Sequence, residues 1–195
     1  MTLVKRFEDL DLPLFTVEPD NVAEVLGTIE LLGLVTHQEP QASELVRELE
    51  ARLEEIKRTV SKTEKRPRVY FGSWDPPYYT CGPGNFQQEM IELAGGTNIA
   101  RDAISRWPQY SLEKIIEHDP EVIIQGLSGD RQTDISAVIA HLQESPGWRH
   151  VTAAKQGRVY ILDEDLTHRP GPRIIDGIEA IARVLHPQLF DETVK

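Results

Sequence analysis

The sequence predicts an α/β fold in which a mainly parallel sheet lies between two layers of helices. Three short runs, at residues 68–71, 122–125 and 157–162, have the length and the β-branched or aromatic content of buried strands. Helical patterns separate and follow these runs, and strands that alternate with helices favour parallel pairing. We therefore expect a Rossmann-like, three-layer lobe over residues 67–195.

Composition excludes several classes of protein. The hydrophobic content of 39% and the charged content of 27% are typical of a chain with a packed core. The net charge of −11 argues against nucleic acid as a partner, because nothing would offset phosphate repulsion. No run approaches the roughly 18 apolar residues that cross a bilayer. The first residues contain no apolar signal-peptide core, so we expect a cytoplasmic location for the chain as written, unless it is truncated.

The first elements form an incomplete unit. Residues 12–17 are predicted as a strand, and Asp20 or Asn21 can cap a helix that ends near Gly33. Nothing before this strand could complete a sheet around it. We therefore expect residues 1–37 to be part of a domain rather than a whole one.

A long helix is predicted next, over residues 38–63. Its apolar residues recur three and four positions apart, and its length would exceed about 30 Å. A coiled coil is the competing interpretation, but two heptads are too few to favour it. Glu48 and Arg52 are spaced to form an i,i+4 ion pair, as are Glu54 and Arg58. Residues 38–66 are expected to be a bridging helix with a charged exit.

Helix signals continue through the second half of the chain. Asn85 with Gln88 predicts a capping box for a helix over residues 86–94, which Gly95 would end. Further helices are predicted over residues 133–143 and 172–185, with Pro172 as the first residue of the last one.

The central stretch, residues 106–125, contains the most specific pattern. Trp107 is held extended by Pro108, Ser111 caps a helix, and Glu113 falls in its first turn. The pattern W-P-Q-Y-S-L-E-K-I-I, followed by D-P-E-V-I-I, resembles the second lobe of class III substrate-binding proteins of ABC importers. These are the receptors for cobalamin, ferric siderophores and haem. Residues 82–99 and 169–173 show the same resemblance, which extends over residues 3–190.

The resemblance implies a binding protein rather than an enzyme. Residues 1–37 would be the remnant of a first α/β lobe that otherwise is largely lacking, and the long helix would bridge the lobes. A complete protein would be periplasmic or extracellular and would dock onto ABC permease subunits. Glu113 matches a docking carboxylate, although a glutamate in the first turn is also stabilised by the helix dipole.

The candidate site follows from the sheet. Loops at residues 73–80, 126–130 and 163–171 leave the carboxyl ends of three parallel strands, and such ends share one ligand-binding edge. Aromatic residues on loops suit a broad, partly apolar ligand. Alternatively, Trp74 and the tyrosines roof the sheet and stay buried. The expected ligand-binding residues are Trp74, Tyr78, Tyr79, Trp107, His168 and Arg169.

A corrinoid is the expected ligand, ahead of a ferric siderophore and of haem. The segments that begin at Trp74 and Trp107 resemble cobalamin receptors most. The predicted rim offers mainly Arg169, alongside Asp75 and Asp130, which is a poor match for an anion. No cofactor is expected, and no metal site, because the histidines lack the spacing of ligand motifs.

Two other functions remain open from the sequence. One is an intracellular, tetrapyrrole chelatase-like enzyme, which would need His168 paired with Asp163, Glu164 or Asp165. The other is a cytosolic tetrapyrrole carrier without catalysis.

Overall fold

The structure is a computed structural model that describes residues 3–127 and 133–190. Its helices are α1 (Leu3–Asp9), α2 (Val22–Thr36), α3 (Glu39–Val60), α4 (Phe86–Leu93), α5 (Leu112–His118), α6 (Ile135–Glu144), α7 (Thr152–Lys155), α8 (Glu164–Thr167), α9 (Ile174–Leu185) and α10 (Pro187–Phe190), with a 3-10 turn at Trp148–His150. Its strands are β1 (Arg68–Phe71), β2 (Tyr78–Tyr79), β3 (Thr97–Asn98), β4 (Gln109–Tyr110), β5 (Val122–Leu127) and β6 (Val159–Asp163).

The main sheet is parallel throughout, with the strand order β3-β1-β5-β6. Tyr70 of β1 lies opposite Ile123 of β5, and Ile124 lies opposite Tyr160 of β6. The predicted parallel α/β lobe is confirmed, and the carboxyl ends of β1, β5 and β6 lie at one edge.

Both faces of this sheet are covered by helices. The alternation of side chains directs Phe71 and Ile124 into a core with α3, α4 and α9. Tyr70 and Ile123 point into a second core with α5, α6 and the 3-10 turn. Burial on both faces explains why the strands read as continuous apolar runs rather than as alternating ones.

The strand predicted over residues 12–17 does not form. Residues 12–20 have no regular secondary structure, and the side chains of Leu14 and Phe15 are 40% and 53% exposed. No strand lies beside this segment among residues 3–127 and 133–190, so its backbone has no ladder to join. In the described part of the chain, the sheet therefore begins at β1.

The helix after this segment starts as predicted but runs further. The side chain of Asn21 accepts a hydrogen bond from the backbone N–H of Glu24 at 2.9 Å and caps α2. Gly33 does not end the helix, which continues to Thr36. It ends at His37, whose backbone is left-handed with φ of 56°.

The long helix α3 belongs to the main core. Leu49, Leu53 and Ile56 share one apolar cluster with the sheet and with α9. The two predicted ion pairs within the helix are wrong. Arg52 instead reaches across to Asp176 of α9 at 2.7 Å, because it lies on the flank that faces this helix, and Arg58 pairs with Glu55. The domain boundaries near residues 37 and 66 stay predictions.

Capping explains most of the later helix boundaries. Asn85 caps α4 by accepting from the N–H of Gln87 at 3.1 Å. Gln88 does not complete the predicted capping box, because its Oε1 accepts a hydrogen bond from Asn98. The last long helix begins at Ile174 rather than at Pro172, since the chain first makes a turn in which Ile174 N–H donates to the carbonyl of Gly171.

Candidate functional site

A short antiparallel ladder builds one wall of the candidate site. Tyr79 of β2 lies opposite Gln109 of β4, and the N–H of Gly82 donates to the carbonyl of Arg106 at 2.8 Å. These bonds tie the loop after β1 to the segment that leads into α5. They bring Trp107 to the sheet edge, next to the aromatic loop. Strands of two residues have no periodic pattern, so the sequence analysis missed this ladder.

A pocket of about 220 Å³ opens at the carboxyl edge of the sheet. Tyr79 and Trp107 are half exposed, at 50% and 48%. His168, which follows β6 and α8, lines the same pocket. Three of the six predicted ligand-binding residues thus line one pocket. The full lining is Phe71, Gly72, Ser73, Pro77, Tyr79, Thr80, Trp107, Gln125, Gly126 and His168.

The other three predicted residues lie elsewhere. Trp74 is only 8% exposed and belongs to the second core. Tyr78 packs edge-on against Trp148, with ring centroids 5.8 Å apart. These two aromatics roof the sheet. Arg169 is an exposed partner of Asp165 at 2.9 Å and does not line the pocket. Asp130, predicted beside Arg169, lies outside the described residues.

Close packing positions His168 against the sheet. Its ring centroid is 5.8 Å from that of Phe71, and a Cβ at Gly126 would lie 2.3 Å from its Cε1 atom. Any residue larger than glycine at this position of β5 would push the imidazole away. This partial burial lowers the pKa of His168, although the negative charge of Glu164 opposes the shift. The ring is therefore neutral at pH 7.

The histidine–carboxylate pair that a chelatase would need does not form. The side chain of Asp163 caps α8 by accepting from the N–H of Asp165 at 2.9 Å. Asp165 is held by Arg169 and Arg173. Glu164 contributes its backbone carbonyl, which accepts from the N–H of His168 at 2.7 Å.

Gln125 is a pocket residue that the sequence analysis did not select. Its Oε1 atom is buried with no hydrogen-bond partner in the described chain. A polar residue at the end of an apolar strand was the available signal. The neighbouring Thr80 is satisfied, because its hydroxyl donates to the carbonyl of Phe71 at 2.8 Å.

Glu113 lies away from the pocket lining, on the surface at the start of α5. Its pKa is lowered by a hydrogen bond from its own backbone N–H and by another from Ser111. The carboxylate is therefore ionised and exposed to solvent at neutral pH, as either a docking or a capping role requires.

A larger groove of about 670 Å³ runs between α2 and α3. Its walls carry charges of both signs, including Glu30, Arg47 and Glu50, and contain no aromatic side chain. We assign the site to the smaller pocket because the sheet edge, the aromatics and a neutral histidine converge there. Within residues 3–127 and 133–190, no cluster of three metal-binding side chains occurs, and no described helix could span a membrane.

Comparison with known proteins agrees with this architecture. A sequence model of the periplasmic binding protein family matches residues 5–166. The chain is 31% identical over 193 residues to an uncharacterized ABC transporter substrate-binding lipoprotein of Bacillus subtilis, YvrC. The aligned region covers 97% of this chain and 59% of that protein. It is 36% identical over 171 residues to a cobalamin-binding protein of Halobacterium salinarum, covering 86% and 44%.

A solved structure shows the same fold. It belongs to a possible iron-binding, periplasmic solute-binding protein of Staphylococcus epidermidis, with a TM-score of 0.81 and 27% identity over 94% of this chain and 70% of that one. The present chain thus spans about half the length of the curated relatives that it matches.

Proposed function

The chain belongs to the periplasmic binding protein family, and from that premise we propose that it is the ligand-binding part of an ABC importer. The family consists of substrate-binding proteins rather than enzymes. The observation that supports the proposal best is the pocket at the carboxyl edge of the sheet, where Tyr79, Trp107 and His168 meet.

The proposed ligand is cobalamin or a related corrinoid. Among the described residues, no Lys, Arg, Asp or Glu lines the pocket, and its histidine is neutral. A haem with its propionates, or an anionic ferric siderophore, would favour cationic side chains instead. A corrin ring bears amides around an apolar face, which aromatic residues can cover. The cobalamin-binding relative agrees with this choice.

The size of the pocket limits the expected affinity. Sites for small molecules usually measure about 300–1,000 Å³, and this one measures about 220 Å³. Only part of a corrinoid would be covered by this chain, so binding is expected to be in the micromolar range or weaker.

The proposed partner is the permease of the importer, with Glu113 offered to its arginines, and the proposed location is outside the cytoplasmic membrane. The naming of the Bacillus relative as a lipoprotein supports this location over that of a cytosolic carrier.

Titration of cyanocobalamin, haem and a ferric hydroxamate, followed by visible absorbance or calorimetry, tests the ligand. We expect cyanocobalamin to bind best. Trp107→Ala should weaken that binding by about threefold to tenfold, because it removes an aromatic contact. Arg169→Ala is the matched control, since it changes an exposed residue of a nearby loop, and it should have no effect.

Binding of haem with no response to cyanocobalamin would overturn the corrinoid assignment. A loss of binding in Arg169→Ala, with Trp107→Ala unchanged, would show that the ligand lies elsewhere.

A further inference from the structure

Two hydrogen bonds of Thr167 bear on which nitrogen of His168 carries the proton. The hydroxyl of Thr167 donates to the carbonyl of Asp163 at 3.1 Å. The hydroxyl oxygen of Thr167 also lies 3.0 Å from Nδ1 of His168. A hydroxyl has one hydrogen, so once it is given to Asp163 the oxygen can only accept from the ring. Nδ1 is then the protonated nitrogen.

The other ring nitrogen is left without a protein partner. Nε2 makes no hydrogen bond within the described residues, and His168 lines the pocket. The tautomer of a neutral histidine is set by the hydrogen bond that one nitrogen makes. With Nδ1–H engaged by Thr167, Nε2 presents a lone pair.

We propose that Thr167 is a positioning residue that holds His168 as the Nδ1–H tautomer, so that the ligand meets an electron-pair donor at Nε2. This inference rests on the proposed function for the identity of the ligand, but not for the state of the imidazole. The ligand group that meets Nε2 is therefore an electron-pair acceptor, either an amide N–H or a metal ion with an exchangeable position.

Two neighbours support this assignment. Gly126 leaves room for the Nδ1–Cε1 edge of the ring, since a Cβ there would lie 2.6 Å from Nδ1. Gln125, on the same stretch of β5, has a buried Oε1 without a partner. Gln125 also lines the pocket with His168.

The tautomer can be read directly in the ligand-free protein. Long-range ¹H–¹⁵N correlations of the histidine rings, recorded at neutral pH and assigned by comparison with His168→Gln, separate protonated from unprotonated nitrogens. We expect a protonated Nδ1 and an unprotonated Nε2. Thr167→Val is close in shape but lacks the hydroxyl, so its spectrum should lose this preference, and Thr167→Ser should keep it.

A wild-type spectrum with the proton on Nε2 would overturn the proposal. So would a Thr167→Val spectrum identical to that of the wild type. Where His168→Gln does not fold, the ring of His168 can be assigned in the wild type through its backbone and Cβ resonances.

Ligand titrations extend the test. Thr167→Val should weaken binding of aquacobalamin by about threefold to tenfold, the usual effect of one hydrogen bond, and Thr167→Ser by less than about twofold. Equal affinity in Thr167→Val and in the wild type would overturn the positioning role.

The two sources of the acceptor give different spectra. If an amide N–H meets Nε2, then cyanocobalamin and aquacobalamin bind alike and without a shift in absorbance. If cobalt does, only aquacobalamin shifts, and His168→Gln abolishes the shift. Failure of the wild type to bind either corrinoid would overturn the proposed ligand, while the ring spectrum would still decide the tautomer.

Discussion

His186 is completely buried, next to the turn that ends α4. Its Nε2–H donates to the carbonyl of Gly95 at 3.1 Å. Gly95 has a positive φ of 81°, and a Cβ there would lie 2.8 Å from that nitrogen, so both the backbone conformation and the contact require glycine. Nδ1 has no partner within the described residues. A protonated ring would be a buried charge with one N–H that lacks a hydrogen-bond acceptor within the described residues.

The pKa of His186 is lowered first by burial, and also by the positive charges of Arg66, Arg158 and Lys65, against the hydrogen bond to Gly95. In the unfolded chain the ring titrates near its ordinary pKa of about 6.5. Just below this pH the unfolded state binds the proton and the folded state does not, so stability falls as pH falls and levels off above about 6.5.

We expect the wild-type protein to unfold at lower urea concentrations at about pH 5.5 than at about pH 7.5. His186→Gln keeps a donor for Gly95 but cannot titrate, so its stability should depend less on pH over this interval. The lowered pKa of His168 leaves a dependence of the same sign. A variant with a dependence as steep as that of the wild type would contradict the assignment to His186.

At the scale of elements, helix α3 packs against both α2 and α9. Leu49 is 4% exposed and lies in the main core, while Arg52 bridges Asp176 and Glu179 of α9. In contrast, Leu34 on α2 is 58% exposed. The two leucines thus differ strongly in burial.

Leu49→Ala should destabilise the protein by about 2–5 kcal/mol, because it removes apolar contacts and leaves a cavity. Leu34→Ala, the same chemical change at an exposed position, should change the free energy of unfolding by less than about 0.5 kcal/mol. Urea denaturation of both variants measures the difference. Similar losses in the two variants would mean that α2 buries its outer face against another surface in solution.

The sequence was most informative where local and global preferences agree. Residues 69–71 and 122–124 are apolar, β-branched or aromatic, and they form most of β1 and the first half of β5. Ser111 and Asn85 cap helices by the local mechanism that predicts them. Such elements depend on their own residues and need no knowledge of distant partners.

The prediction failed where a partner decides the structure. Residues 12–17 have a strand-like composition, but a strand needs a neighbour, and none lies beside them in the described chain. Arg52 has a suitable glutamate four residues away, yet it pairs with Asp176 of a distant helix. Trp74 and Trp107 both lie in segments predicted as loops. The β2–β4 ladder, a tertiary feature, brings Trp107 to the pocket, whereas Trp74 stays in the core.

On the scale of the whole molecule, the N-terminal part is attached to the α/β lobe by the apolar face of α2, which joins the main core, and by two polar contacts. The N–H of Val22 donates to Glu89 of α4 at 2.7 Å, and Arg106 pairs with Asp20 at 2.7 Å. Most of the large exposed apolar side chains precede β1. Glu113 does not line the pocket, so ligand binding and the proposed docking are expected to be separable by mutation.

Glu113→Ala should shift the midpoint of thermal unfolding by less than about 3 °C, because the carboxylate is exposed and only assists a helix start. In a protein that spans the full length of the relatives, the same change should weaken association with the reconstituted permease and leave ligand affinity unchanged. Glu117→Ala, one turn further along α5, is the matched control. A large fall in the unfolding midpoint for Glu113→Ala would assign this residue a structural role instead.

The placement of the three tryptophans makes the protein its own optical reporter. Trp74 and Trp148 are enclosed, at 8% and 3% exposure, whereas Trp107 stands half in water at the mouth of the pocket. Trp107 therefore emits at longer wavelengths than the two enclosed tryptophans, because water can relax around its excited indole. Corrin and porphyrin rings absorb where indole emits, so a ring seated against Trp107 would quench this emission by energy transfer. A colourless ligand in the same place would shift its wavelength instead, so the intrinsic fluorescence can distinguish the two kinds of occupant without any label.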